Sequence, residues 1–476
     1  MSNAVALRQE AGQRHRRRRR EAEFRKRTSG VYLVHRERLT GKGRLRQFVA
    51  YMTQVLRLPQ LAEEIVRDGR RHPLYRGSTC ILLCILMVLL RYRSFNSFEP
   101  RLADPAMRKL FGNRPVPSCV DTLRNALMKV DIGSLEKLHQ AVLKLAAENK
   151  ALRGTLHGGL RFFGFDGFEP CRSRNRSCLG CLTATHEEGG AEVTDHFHRF
   201  VFVYGIGPAP QLLLGLQPQA SLSIRQATFP EALKAEGELT AVKPIIERLR
   251  KVFPKMYDVG IGDALYPNGP MINFMKEGKP SYDLIAVLKK LTDEPLADAL
   301  KLYASMAPTE TYYDEEREEW VRLWDTDGFE TLETSHFPLR VIKAQKSRNP
   351  RSALKTIDWD GPDVNTWWLT TTIPREALGG AAVFDAQRRR WDQESVNNDF
   401  TQNWSIKHSF IHHANGTTAM AYVFMIAYNL FQLFWHRRLS EKTRKSYTMI
   451  AVADEMKLDL AKLTSSTEGF FGPPSS

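Results

Sequence analysis

The chain has 476 residues, more than one hydrophobic core usually supports, so two or three structural units are expected. Hydrophobic residues make up 42% and aromatic residues 10%, which excludes an intrinsically disordered chain. The formal net charge of +16 sits mostly at one end: residues 1–50 hold 15 Lys and Arg against 4 Asp and Glu, a net of +11.

Residues 1–40 are a polar basic arm without periodicity, with five consecutive arginines, Arg16, Arg17, Arg18, Arg19 and Arg20. Such an arm neutralises phosphates and releases counterions, which points to nucleic acid, although a solvated tail or a targeting signal has the same composition. Residues 41–152 read as a helical domain whose Lys and Arg content suits DNA contact. Leu135, Leu138, Val142 and Leu145 keep three- and four-residue spacing, and Pro115 and Pro117 interrupt the pattern. The most apolar run, Cys80 to Leu90, is too short to cross a bilayer core of about 30 Å and reads as a buried helix. The N-terminus lacks the apolar stretch of a secretory signal, so a cytoplasmic location without a membrane partner is expected. Six cysteines then suggest reduced thiols or a metal site, not a disulfide framework.

At Leu160 the character changes. Leu160 to Gly167 reads as a buried strand ending in Asp166; His198 to Ile206 and Gln211 to Leu216 read as two more, parted by the turn at residues 207–210. A helix over Pro230 to Val252, a strand over Tyr257 to Ile261 ending at Gly262-Asp263, a short helix around Met271 to Met275 and a strand over Tyr282 to Leu288 follow. That order predicts an α/β fold, a mixed sheet flanked by helices. Residues 293–372 break the rhythm with strand-like pieces at Trp320 to Trp324, Leu339 to Ala344 and Trp367 to Thr371, and hold five of the eight tryptophans. They read as a β-rich insertion. Trp367-Trp368 is more often core than a base-stacking site. Helices over Ala381 to Gln402 and Thr418 to Arg438 come next, and residues 441–476 read as a last helix and a Ser/Gly/Pro-rich tail.

Asp166 and Asp263 share a setting: each ends an apolar strand run beside a glycine, which lets a ligand approach closely. Asp-Gly is also common in plain turns. The pair on two strands, followed by Arg390 and Glu394 four apart on a late helix, favours chemistry, although Arg390 and Glu394 alone could be a surface ion pair. Three carboxylates suit magnesium, a hard ion that prefers oxygen ligands, and two such ions about 3.5–4 Å apart drive in-line phosphodiester displacement. Cys171, Cys178 and Cys181, spaced C-x6-C-x2-C, with His186, His196 and His198 downstream, form a candidate structural zinc site in which His198 is the preferred imidazole. Incidental thiols in a polar loop have the same spacing.

The segments Asp166-Gly167, Ile261-Gly262-Asp263-Ala264-Leu265-Tyr266 and Arg390-Trp391-Asp392-Gln393-Glu394 resemble the three motifs of DDE transposases from bacterial insertion sequences. The run Trp404-Ser405-Ile406-Lys407-His408-Ser409-Phe410 resembles the stretch after their glutamate. The resemblance covers residues 115–440. It implies an RNase H-like catalytic domain over residues 153–292 and 373–440, with Asp166, Asp263 and Glu394 holding two magnesium ions and Arg390 contacting DNA. It also implies nicking at element ends, strand transfer by the freed 3′ hydroxyl, and a homo-oligomer that synapses two double-stranded DNA ends. In the subgroup with a β-rich insertion the late helix carries Tyr, Arg, Glu and Lys; here the Tyr position falls on Gln387 and the Lys position on Thr401. A non-catalytic DNA-binding descendant and an RNase H-like host nuclease are the alternative functions.

Overall fold

A computed structural model describes residues 43–111, 115–152, 154–289, 294–391, 403–407 and 410–461. The basic arm with Arg16 to Arg20, the candidate Glu394 and the C-terminal tail lie outside the described residues.

Residues 44–148 are helical, as their periodicity predicts. Helices Arg44–Ala50, Leu58–Ile65, Gly77–Leu89, Phe95–Leu102, Pro105–Leu110, Val120–Lys129 and Ile132–Glu148 succeed one another. Gly77–Leu89 contains the apolar Cys80 run and is buried almost all round. An all-apolar helix needs protein on every side. The covering element comes from the far end of the chain: the 25-residue helix Ala414–Arg438 packs against Gly77–Leu89, Val120–Lys129 and Ile132–Glu148. That helix is long and apolar enough to cross a membrane by composition, but its apolar residues are buried inside the protein. The helical region and the sheet region share one continuous core.

Ten strands form one mixed sheet: β1 (Phe162–Ser173), β2 (Leu182–Glu188), β3 (Ala191–Ile206), β4 (Leu213–Pro218), β5 (Val259–Ile261), β6 (Asp283–Val287), β7 (Glu310–Asp314), β8 (Glu319–Phe329), β9 (Leu339–Ser347) and β10 (Asn365–Thr371). Their spatial order is β2-β3-β1-β5-β6-β10-β9-β8-β7. β4 pairs with β3 along Phe200 to Tyr204. Only β1–β5 and β5–β6 are parallel; every other pair is antiparallel. The fold class is therefore mixed α/β. The strands read as an insertion do not stand apart, because β10 pairs with β6 and extends the same sheet.

Three expectations need correction. The helix read from Pro230 starts at Glu238, after a separate turn of helix at Leu222–Thr228. Pro230 supplies no N–H, and Gly237 takes the cap position. β2, β7 and the helix Glu294–Ala304 lie where no regular element was expected. β2 is polar and largely exposed, and β7 is a short Glu-Thr-Tyr-Tyr-Asp run half-buried at its tyrosines, so neither carries an apolar alternation. The helix read from Ala381 to Gln402 is described as Gly380–Arg388 followed by a tighter 3-10 turn over Arg389–Trp391. Arg390 therefore sits in that turn.

Candidate active site

The run Phe162-Phe163-Gly164-Phe165 carries β1 through the centre of the sheet, and all four residues are buried. β1 and β5 run parallel with Gly164 opposite Ile261, so the same register sets Asp166 beside Asp263 just past the end of β5, while β1 runs on to Ser173 against β3 instead of ending at Asp166 as its sequence suggested. Neighbouring strands lie about 4.8 Å apart, which puts the two aspartates in reach of one ligand. Beyond β5 the Gly262 N–H donates to the Ile285 carbonyl at 2.9 Å, and the Leu265 N–H donates to Asp263 Oδ1 at 2.8 Å. That turn directs Tyr266 back under the sheet, where its ring packs on Phe165 at 4.4 Å between centroids.

The structure adds a carboxylate that the sequence reading did not single out. Glu238 opens the helix Glu238–Val252, and the Tyr266 hydroxyl donates to its Oε1 at 2.6 Å. A Cβ at Gly167 would run into Glu238 Oε2, so glycine there lets this carboxylate come up against β1 beside Asp166. An acidic residue in the first turn of a helix is common as a partner of the helix dipole, so nothing in its local sequence marked it out. The signal that finds it is spatial.

Burial pushes the Asp166 carboxyl up from its ordinary 3.8 to about 6; Arg390 opposes the rise, Glu238 and Asp263 add to it, and the Gly167 N–H opposes it. Burial also drives the Tyr266 hydroxyl far above its usual range, with Glu238 adding to the effect. Three half-buried carboxylates thus crowd one point. Such crowding favours a bound proton or a bound cation.

One guanidinium faces them. Arg390 Nη1 lies 3.7 Å from Asp166 Oδ2. Its position follows from its neighbours: Arg388 pairs with Asp314 and Glu319, and Arg389 with Asp385 and Glu316, tying the turn to β7 and β8. Gln387 is fully buried and its Nε2 donates to the Gly262 carbonyl at 3.2 Å, bracing the chain just before Asp263. Gln387 Oε1 and Arg390 Nε are buried with no hydrogen-bond partner among the described residues. Trp367 and Trp368 are half-buried and have partners inside the protein: Trp367 meets Phe384, and Trp368 stacks on Tyr303 at 5.9 Å.

Of the cysteine and histidine candidates, Cys178, Cys181 and His198 come together, their ligand atoms all within 4.8 Å of one another. Cys171 stands opposite His198 in the β1–β3 register but is not one of the three. His186 lies beside Glu188 and Asp195 instead.

No protein-family model matches the chain, and no curated protein matches it. Among solved structures, the cryo-EM structure of a piggyBac transposase synaptic complex with hairpin DNA superposes at a TM-score of 0.43 with 10% identity. The alignment covers 91% of this chain and 81% of that one.

Proposed function

We propose that this protein is a DNA transposase of the DDE kind with an RNase H-like catalytic sheet. The observation that carries the reading is the meeting of Asp166 on β1 with Asp263 just past the end of the adjacent parallel strand β5, with Glu238 and Arg390 at the same point. The strand order β4-β3-β1-β5-β6, antiparallel then parallel, supports an RNase H-like assignment of the sheet. The donor set is all carboxylate oxygen and carries excess negative charge, which fits magnesium and not a soft ion. Bound there, magnesium supplies activation of the attacking oxygen and stabilisation of the leaving oxygen in an in-line displacement at phosphorus.

Each residue has a role in this reading. Asp166, central to the cluster, and Asp263 beside it would hold the magnesium. Glu394, four residues past Arg390 in sequence, supplies the third carboxylate. Glu238, held by Tyr266, keeps the metal side of Asp166 negative. Arg390 neutralises a DNA phosphate, which would draw it from Asp166, and the basic arm adds contacts that carry no base information.

The test uses the full chain with linear DNA carrying any inverted repeats that flank its gene. Wild type should cut the repeat ends in magnesium and join the freed 3′ hydroxyls to a target plasmid. Asp166→Asn and Glu394→Gln should bind the same DNA yet neither cut nor join. Cutting without joining would leave the nuclease reading, and equal activity of wild type and Asp166→Asn would leave only DNA binding.

A further inference from the structure

We propose that Cys178, Cys181 and His198 are three ligands of a structural zinc ion and that His412 is the fourth. The inference does not depend on the transposase reading.

The distances favour a metal over a chance cluster. Cys178 Sγ and Cys181 Sγ are 3.7 Å apart, and His198 Nε2 lies 3.3 and 3.5 Å from them. With Zn–S near 2.3 Å and Zn–N near 2.05 Å, the edges of a tetrahedron are about 3.8 Å for S–S and about 3.6 Å for S–N. Two thiols and one imidazole therefore already mark three corners. A disulfide is excluded, because its sulfurs would sit about 2.05 Å apart. The C-x2-C turn is closed by the Cys181 N–H donating to the Cys178 carbonyl at 3.0 Å, and the Cys178 N–H points at Cys181 Sγ at 3.3 Å. N–H donation to sulfur is the supporting contact that thiolate ligands use.

The fourth corner faces the segment before the long helix Ala414–Arg438. A Cβ at Gly180, between the two cysteines, would lie 2.9 Å from Ala414 Cβ and 3.1 Å from His198 Cε1. The start of the helix therefore rests on the cysteine turn. His413 is occupied as the helix cap, its Nδ1 accepting from the Gly416 N–H at 3.3 Å. His412 is the next imidazole along. It is exposed and stands two residues before Ala414, against which the cysteine turn packs. A rotation of its side chain onto the cysteine turn closes the site. Zinc held this way pins the N-terminus of the central helix to the strand pair that carries Asp166.

The experiment measures metal in the purified full chain. Elemental analysis should find about one zinc per chain, and cobalt substitution should give the visible absorption of a tetrahedral site with thiolate ligands. X-ray absorption at the zinc edge should return two sulfur and two nitrogen neighbours. Cys178→Ser, Cys181→Ser and His198→Ala should each lose the metal. His412→Ala should weaken zinc binding by more than the roughly 10- to 100-fold that a supporting contact contributes. Cys171→Ser should keep full stoichiometry. Absence of zinc from wild type grown with ample metal overturns the site, and that measurement needs no variant to fold. Zinc retained at full affinity in His412→Ala, or lost in Cys171→Ser, overturns the four-ligand assignment.

Discussion

Asp166 carries a measurable electrostatic signature because its carboxyl is raised to about 6. The folded state then binds a proton that the unfolded state releases near the ordinary 3.8. Folding is unpenalised below about pH 4, loses stability as pH rises from 4 to 6, and carries the whole penalty above that. Two pKa units correspond to at most about 3 kcal/mol. Without divalent ions, Asp166→Asn should therefore melt higher than wild type at pH 7.5, and the two should converge near pH 4. Magnesium should narrow the gap at pH 7.5 by stabilising wild type alone. A melting difference that ignores both pH and magnesium would show that Asp166 faces no charged cluster. Tyr266→Phe isolates the neighbouring contact: it deletes the hydroxyl that donates to Glu238 and leaves the ring on Phe165. In a titration followed by melting temperature, the variant should need more magnesium than wild type for the same gain, with kcat falling less than for Asp166→Asn. An unchanged titration would mean that Glu238 takes no part in the site.

Among the elements, what the sequence made legible were those with clean apolar patterns: the buried Cys80 helix, the strands leading to Asp166 and Asp263, and the long helix near the C-terminus. β2 and β7 were missed because the first is polar and exposed and the second is too short, with adjacent tyrosines, to show an alternation. Glu238 was missed for a different reason: it reaches the site only because a helix start, a glycine on β1 and a tyrosine after β5 converge in space. The same limit applies to the third cysteine, where spacing chose Cys171 and the structure gathers Cys178, Cys181 and His198 without it. Helices and sheet are joined in part by a buried polar residue that no pattern announces. Asn429, fully buried on Ala414–Arg438, accepts from the Leu213 N–H at 2.8 Å, donates to the Leu213 carbonyl at 2.7 Å and lies 3.0 Å from His139 Nε2. Asn429→Ala strands the Leu213 N–H, at about 1–3 kcal/mol, while the Leu213 carbonyl keeps His139 Nε2 at 3.0 Å. Denaturant unfolding should show a loss of about 1–3 kcal/mol. A smaller loss would mean that water replaces the amide.

At the scale of the whole molecule, the helix Ala414–Arg438 runs through the middle of elements encoded hundreds of residues earlier. That arrangement has a consequence for biosynthesis. The helices between Arg44 and Glu148 leave the ribosome with apolar faces whose permanent cover has yet to be translated. At roughly 5–20 residues per second, the 265 residues between Glu148 and Ala414 take on the order of 10 to 50 s to make. Through that interval the nascent chain must remain loosely structured or lean on a chaperone. A stalled chain ending near residue 400 should be digested across residues 44–148 by a protease concentration that the released full-length protein survives. Equal resistance of the two would show that the early helices close a core of their own. If they do not, a chain cut short before Ala414 yields no folded helical fragment, only a chain for the cell's proteases to clear, and the whole protein is made or none of it is.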